Sequence, residues 1–172
     1  KNTYSYPTSN LGKQLAIIAK LISGGLETPI YLANIGGFDT HANQLNQHLN
    51  LWKTISDAVS AFQNDLKNQG LDESVSVMTF SEFGRRVNQN GTLGTDHGTA
   101  APLFIFGNKV DSSISGANPQ IPESVNWEDN LNSEFDFRQV YASIINQWMS
   151  GGKKSAKDIL FKNFDEIQII RK

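Results

Sequence analysis

The chain has 172 residues, of which 38% are hydrophobic and 19% charged, a balance typical of one folded domain covering residues 1–172. A formal net charge of −2 excludes the basic surface that nucleic acid needs, and no apolar run reaches the length of a membrane span. Cysteine is absent, which excludes disulfides, zinc–thiolate sites and cysteine nucleophiles. The sequence begins with Lys1 and has no signal-peptide pattern, so we expect a piece of a longer protein.

Apolar periodicity predicts the helices and strands along the chain. A helical spacing of apolar residues predicts three helices, at 11–22, 45–68 and 137–149. Apolar runs bounded by turn residues predict three strands, at 29–35, 74–80 and 101–106. The glycine pairs 24–25 and 151–152 are predicted to end the first and last helix, and the polar stretch 111–132 predicts a long surface excursion.

Strands that alternate with helices predict an α/β fold with a mostly parallel sheet and helices on both faces. Ligands bind such sheets beyond the carboxyl ends of the strands. Asp39 and His41 directly follow the first predicted strand, and Glu82, Arg85 and Arg86 follow the second. The topology therefore predicts that these side chains meet at one edge of the sheet.

Two of the three histidines lie near acidic residues in glycine-containing loops. His41 is two residues after Asp39, and His97 directly follows Asp96. Carboxylate and imidazole groups from separate loops build divalent-metal sites and acid–base pairs. A second interpretation stays open for each, because such an aspartate can cap a turn and such a histidine can bond to backbone. The third histidine, His48, lies inside a predicted helix and is interpreted as a residue of its solvated or half-buried face.

Glu82 has a similar pair of interpretations. It lies at the carboxyl end of a predicted strand, where an acidic group is unfavourable unless it is paired or used in chemistry. Arg85 and Arg86 follow closely and could form a structural ion pair with it. We favour a functional role for this carboxylate.

Four motifs resemble the signature blocks of one bacterial family. They are Gly-Gly-Phe-Asp-Thr-His-Ala-Asn-Gln at 36–44, Thr-Phe-Ser-Glu-Phe-Gly-Arg-Arg at 79–86, Gly-Thr-Asp-His-Gly-Thr-Ala at 94–100, and Asp-Phe-Arg-Gln-Val-Tyr at 136–141. The chain is similar over nearly its whole length to the "domain of unknown function 1501" family. Members are typically much longer, so the resemblance implies that this chain is a C-terminal part.

The resemblance also implies a place in the alkaline phosphatase and sulfatase superfamily and, for many members, export by the twin-arginine pathway to the periplasm or the extracellular space. An alkaline-phosphatase-like fold and a divalent metal (zinc, calcium or magnesium) follow from that grouping. Its implied metal ligands are Asp39, His41, Glu82, Asp96 and His97, and its implied catalytic cations are Arg85 and Arg86.

Several features depart from the superfamily pattern. Phe83 stands where a metal-binding histidine would be expected, and the gap between Asp39 and His41 is shorter than usual. The superfamily nucleophile lies in the N-terminal half, which this chain does not include. We therefore expect the chain alone to be inactive as an ester hydrolase and to bind metal weakly or not at all.

Two functions remain open at this stage. The intact parent would be a metal-dependent hydrolase of phosphoric or sulfuric esters, with a small ester or polysaccharide as a possible ligand. The alternative is a non-catalytic exported protein that keeps the hydrolase fold and binds a surface polymer or another protein. In either case we expect an exposed sheet edge, covered by the missing N-terminal half or by another copy.

Overall fold

A computed structural model describes residues 1–149 and 155–171, and the chain separates into two compact units. The first unit contains Lys1–Val75 and Asn88–Asp96. The second contains Ser76–Val87 and His97–Lys172. Each unit is therefore assembled from two separate stretches of the sequence.

Two helices form the core of the first unit. Helix α1 spans Asn10–Ser23 and helix α2 spans Gln44–Asn68, which confirms the first two predicted helices. The Ser9 hydroxyl caps α1 by accepting a hydrogen bond from the Gly12 N–H at 3.2 Å. The two helices pack through their apolar faces, whose buried residues are Leu11, Leu15, Ala19, Ile55, Ala58, Val59, Ala61, Phe62 and Leu66.

A buried carboxylate on α2 ties the N-terminal segment to this core. Asp65 is fully buried and accepts hydrogen bonds from the Thr3 N–H and hydroxyl, at 2.7 and 2.8 Å. The Tyr6 hydroxyl and the Gln69 amide also donate to it, at 3.0 and 2.9 Å. Burial by itself raises the pKa of the Asp65 carboxyl, but these hydrogen bonds outweigh it and hold the pKa below its usual value.

The first predicted strand, at 29–35, is wrong. The backbone of this segment forms no β-bridge in the described parts of the chain. Instead the Gln14 side-chain amide on α1 accepts from the Asn34 N–H and donates to the Asn34 carbonyl, at 2.9 and 2.8 Å. Ile30 and Leu32 are 68% and 74% exposed. The Gln14 side chain thus makes the two backbone hydrogen bonds at Asn34 that a neighbouring strand would make in a sheet.

The second unit contains two small antiparallel ladders. Strand β1 (Val77–Met78) pairs with β4 (Ile105–Phe106), and β2 (Gly84–Arg85) pairs with β3 (His97–Gly98). The mostly parallel, alkaline-phosphatase-like sheet with helices on both faces is therefore wrong for this structure. The physical reason is that a short apolar run favours extended backbone without specifying its partner or direction.

Helix α3 (Phe137–Ile144) continues into a π-helical turn at Ile145–Met149, in agreement with the predicted third helix. A short helix α4 spans Ala156–Leu160. The glycine pair predicted to end the third helix, at 151–152, lies outside the described residues.

The C-terminal segment docks on α3 and its π-helical extension through polar side chains. The buried Ser143 hydroxyl donates to the Gln139 carbonyl and accepts the Ile167 N–H, at 2.7 and 2.8 Å. The Gln147 amide donates to the Ile167 carbonyl at 2.8 Å and accepts the Ile170 N–H at 3.2 Å. Helix side chains again serve as hydrogen-bonding partners for an extended segment.

We expect the substitution Asp65→Asn to lower the free energy of unfolding by about 2–4 kcal/mol, because an amide nitrogen would face donors that now bond to a carboxylate. The loss should appear in urea unfolding followed by circular dichroism. Asp57→Asn, which removes an exposed pair with Lys53 on the same helix, is the matched control and should change the value by less than about 0.5 kcal/mol.

The contribution of Asp65 should also depend on pH. Its folded-state pKa is lowered, so its stabilisation is present above the unfolded-state pKa of about 4 and is lost as the pH falls through the folded-state value. The difference between native chain and Asp65→Asn should therefore shrink in acid. Equal losses for Asp65→Asn and Asp57→Asn at neutral pH would contradict the role given to the buried carboxylate.

Candidate functional site

A tight turn in the first unit presents the first acidic–histidine pair. The Thr40 N–H donates to the Phe38 carbonyl at 2.9 Å, which closes a three-residue turn with Asp39 at its centre. Thr40 is buried, whereas Asp39 and His41 are exposed. The turn therefore holds Thr40 inside the unit and leaves the Asp39 and His41 side chains on the surface.

His41 lies between two carboxylates. Its Nε2 atom is 3.0 Å from Asp39 Oδ1, and its Nδ1 atom is 3.1 Å from Asp96 Oδ1. Both ring nitrogens must carry a proton to donate to both carboxylates, because a neutral imidazole has only one N–H. The three side chains are between 40% and 61% exposed, so the cluster is accessible to ions from solvent.

A second loop is fastened onto the residues around His41. The His41 carbonyl accepts from the Asn90 amide at 3.0 Å and from the Thr92 hydroxyl at 2.5 Å. The Gln44 N–H, at the start of α2, donates to the Leu93 carbonyl at 2.9 Å, and the Gln44 side chain accepts from the Thr95 N–H at 2.9 Å. These bonds fix the loop that ends at Asp96 against the segment that carries His41.

The close approach of the two loops requires a glycine. A Cβ atom added at Gly94 would lie 2.3 Å from the His41 carbonyl carbon and 2.6 Å from the Ala42 nitrogen. Nearby, Leu93 has a φ of 61° and Asn43 a φ of 46°. A left-handed conformation is unfavourable for leucine, so the surrounding contacts must hold it.

The remaining predicted site residues belong to the second unit. Glu82 and His97 are exposed, and β2 and β3 place Arg85 opposite His97. The rings of Phe83 and His97 are stacked, with centroids 3.7 Å apart and planes at 9°, and the Arg85 guanidinium lies 5.2 Å from the Phe83 ring centre. Phe83 has no ligand atom, but it fixes the orientation of the His97 imidazole.

Arg86 contacts Trp127, which lies in the polar stretch 111–132. Its Nε donates to the His97 carbonyl at 3.3 Å, and another guanidinium nitrogen donates to the Trp127 carbonyl at 3.2 Å. Its guanidinium also lies 4.9 Å from the centre of the Trp127 ring. These contacts account for Arg86 without a bound substrate.

The structure thus brings together three of the predicted site residues, Asp39, His41 and Asp96. The predicted convergence of Asp39 with Glu82 and His97 stays a prediction. His48 is half-buried on α2, in agreement with its predicted place on a solvated or half-buried helix face, but sequence reasoning missed its bond to Thr40, whose hydroxyl lies 2.8 Å from His48 Nε2. The available signal was the position of His48 one helical turn before Trp52, which indicates a shared helix face but not the bonding partner.

Comparison with known proteins gives the family. The profile of the family described as "Protein of unknown function (DUF1501)" matches residues 19–148. The chain belongs to this family. The matched part of this DUF1501 chain includes Asp39, His41 and Asp96. No curated protein and no solved structure matches it. No helix among the described residues is long and apolar enough to cross a membrane.

We expect Gly94→Ala to destabilise the first unit of the DUF1501 chain by about 1–3 kcal/mol, because the added methyl group overlaps the His41 backbone. Thermal and urea unfolding measure the loss. Gly91→Ala is the matched control in the same loop, since an added Cβ there meets nothing within 4 Å. Equal stability of the two variants would contradict the close approach.

Proposed function

We propose that this chain carries a weak divalent-metal site in which Asp39 Oδ1 and His41 Nε2 are two of the ligands. The observation that carries the proposal is their 3.0 Å separation. Two protein ligands bound to zinc at about 2.1 Å lie about 3.0–3.4 Å apart at common coordination angles. The two atoms could therefore bind one ion with little movement once the proton between them is displaced.

In this arrangement Asp96 orients the ligand and does not bind the ion. Its Oδ1 would keep the hydrogen bond to His41 Nδ1, at 3.1 Å, while Nε2 faces the metal. Such a carboxylate fixes the tautomer and the ring orientation of a metal-binding histidine. The nitrogen ligand favours zinc over calcium or magnesium, which prefer oxygen.

Two ligands are fewer than the three that a catalytic zinc site ordinarily uses. His97 and Glu82 remain proposed metal ligands of the intact parent, supported by their positions in the family motifs. A bound divalent metal supplies Lewis-acid activation of a phosphate or sulfate ester. We propose that the intact parent is an exported ester hydrolase of the phosphatase–sulfatase type, acting on a small ester or polysaccharide, and that this chain alone does not turn substrate over.

The cations nearest these motifs would have different roles in such a hydrolase. Arg85 would stabilise negative charge on the ester, as a guanidinium does for developing anions. The family resemblance predicts the same role for Arg86, but its hydrogen bonds to the His97 and Trp127 carbonyls favour a structural one.

One observation favours the alternative of an exported protein that binds a polymer or another protein without catalysis. Phe83 follows Glu82 at the position where the superfamily pattern would have a metal ligand, and its ring stacks on His97. A site without a ligand at that position can still hold a single metal for structure. The two proposals differ in turnover and agree on metal binding at Asp39 and His41.

The exposed segment 28–36 supports a proposal about partners. Its residues Ile30 and Leu32 are exposed, and its backbone is free of sheet pairing in the part of the chain that the structure describes. We propose that an extended segment of the N-terminal half, or of another copy, pairs with it. Concentration-dependent sedimentation of the chain, lost in Leu32→Arg, would support pairing between copies.

We expect Zn²⁺ to shift the ring signals of His41 in an NMR titration, since the chain has only three histidines to resolve. Asp39→Asn should weaken binding because it replaces a ligand, and Asp96→Asn should weaken it by about 10–100-fold because it removes the orienting carboxylate. Asp57→Asn is the control, because it changes the same charge on an exposed part of α2.

Absence of any Zn²⁺-dependent shift at His41 would contradict the proposed metal site. Turnover of an aryl phosphate and an aryl sulfate, measured in parallel, separates the two functions. We expect none from this chain alone. Metal-dependent turnover that is abolished by His97→Ala would show that the site is complete within these residues.

A further inference from the structure

We infer that His48 is a positioning residue for the Asp39–His41 pair and acts through the Thr40 hydroxyl. The inference rests on the proposed metal site, because it assigns a role in holding two of its ligands. Thr40 lies between Asp39 and His41 in the sequence, so any group that fixes Thr40 constrains both neighbours.

The hydrogen bond between His48 and Thr40 is well placed for this role. His48 Nε2 lies 2.8 Å from Thr40 Oγ1, and Thr40 is only 3% exposed. Thr40 Oγ1 also lies 3.5 Å from the Phe38 carbonyl oxygen, and the shorter bond to His48 restrains this hydroxyl more strongly. His48 is carried by α2, a 25-residue helix whose inner face packs in the core.

The same imidazole also holds the other flank of the turn. The His48 ring meets Phe38 edge to face at a centroid distance of 5.3 Å, and Trp52 meets Phe38 in the same manner at 5.4 Å. His48 and Trp52 are four residues apart on α2 and so share one face. One ring on a rigid helix therefore contacts residues on both sides of Asp39.

This geometry distinguishes a positioning role from metal ligation. Nε2 of His48 is already engaged by the Thr40 hydroxyl, and the ring packs on Phe38. A glutamine at this position can place an amide near Nε2 and restore the hydrogen bond, but it is a poor zinc ligand. The two roles therefore predict opposite results for His48→Gln.

We expect His48→Ala to weaken Zn²⁺ binding by about tenfold, a value at the lower end for groups that support metal ligands. His48→Gln should recover most of the affinity. Thr40→Val, which keeps the shape and removes the hydroxyl, should weaken binding as His48→Ala does, whereas Thr40→Ser should not. The double variant His48→Ala/Thr40→Val should lose less Zn²⁺ affinity than the two single losses combined, because both variants remove the same hydrogen bond, while only His48→Ala removes the ring contact with Phe38.

Hydrogen exchange in the metal-free protein tests positioning independently of metal binding. His48→Ala and Thr40→Val should speed exchange of the Thr40 amide, which closes the turn, while α1 amides stay unchanged. If the native chain bound no Zn²⁺, the proposed function would fail and this readout would still decide the positioning role.

Three results would overturn the inference. One is unchanged exchange at Thr40 in both His48→Ala and Thr40→Val. Another is a His48→Gln variant as weak in Zn²⁺ binding as His48→Ala, which would point to ligation by the ring. The last, should His48→Ala fail to fold, is equal Zn²⁺ affinity in Thr40→Ser and Thr40→Val.

Discussion

The buried carboxylate of Asp65 is the constraint on which the first unit depends. It is charged inside the core and is stable there because donors from the N-terminal segment and from Gln69, the residue that follows α2, surround it. It therefore holds the segment that leads into α1 against the helix that leads away from the candidate site. The same helix that is fixed at one end by Asp65 carries His48 and Gln44 at the other. Helix α2 thus connects the core around Asp65 to the residues that hold the segment around His41.

Side chains take the place of neighbouring strands in both units. Gln14 bonds to both backbone groups of Asn34, and Gln147 does the same for the C-terminal segment. Gln44 performs a related task by accepting the Thr95 N–H beside Asp96. An amide side chain has a donor and an acceptor in the arrangement of a peptide group. It can therefore bond to the backbone N–H and C=O groups of an extended segment that has no neighbouring strand. This explains how apolar runs predicted as strands can be extended in the described residues although the β-ladders there are short.

The helices were predictable and the sheet was not, for physical reasons. The apolar stripe of α2 repeats over many turns, so its period identifies the element and the face that is buried. The runs at 29–35 and 74–80 are short, and their composition reports burial and extension without naming a partner. The site was partly predictable, because Asp39, His41 and Asp96 are recognisable by type. Their arrangement depends on the Thr40 turn and on Gly94. The spacing of His48 and Trp52 indicates a shared helix face, but it does not identify Thr40 as the partner of His48, and the close approach of the loops has no local signature.

The contact between His41 and Asp96 joins residues 55 positions apart in the chain. Closing a long loop has an entropic cost that local helical contacts do not have, and such contacts form late in folding. The intervening sequence also contributes Ser76–Val87 to the second unit before it returns to the first. During synthesis, the Asp39 turn and the whole of α2 leave the ribosome before the loop that completes the cluster. We therefore expect the contact between His41 and Asp96 to form late in folding, after the helix α2 that supports it.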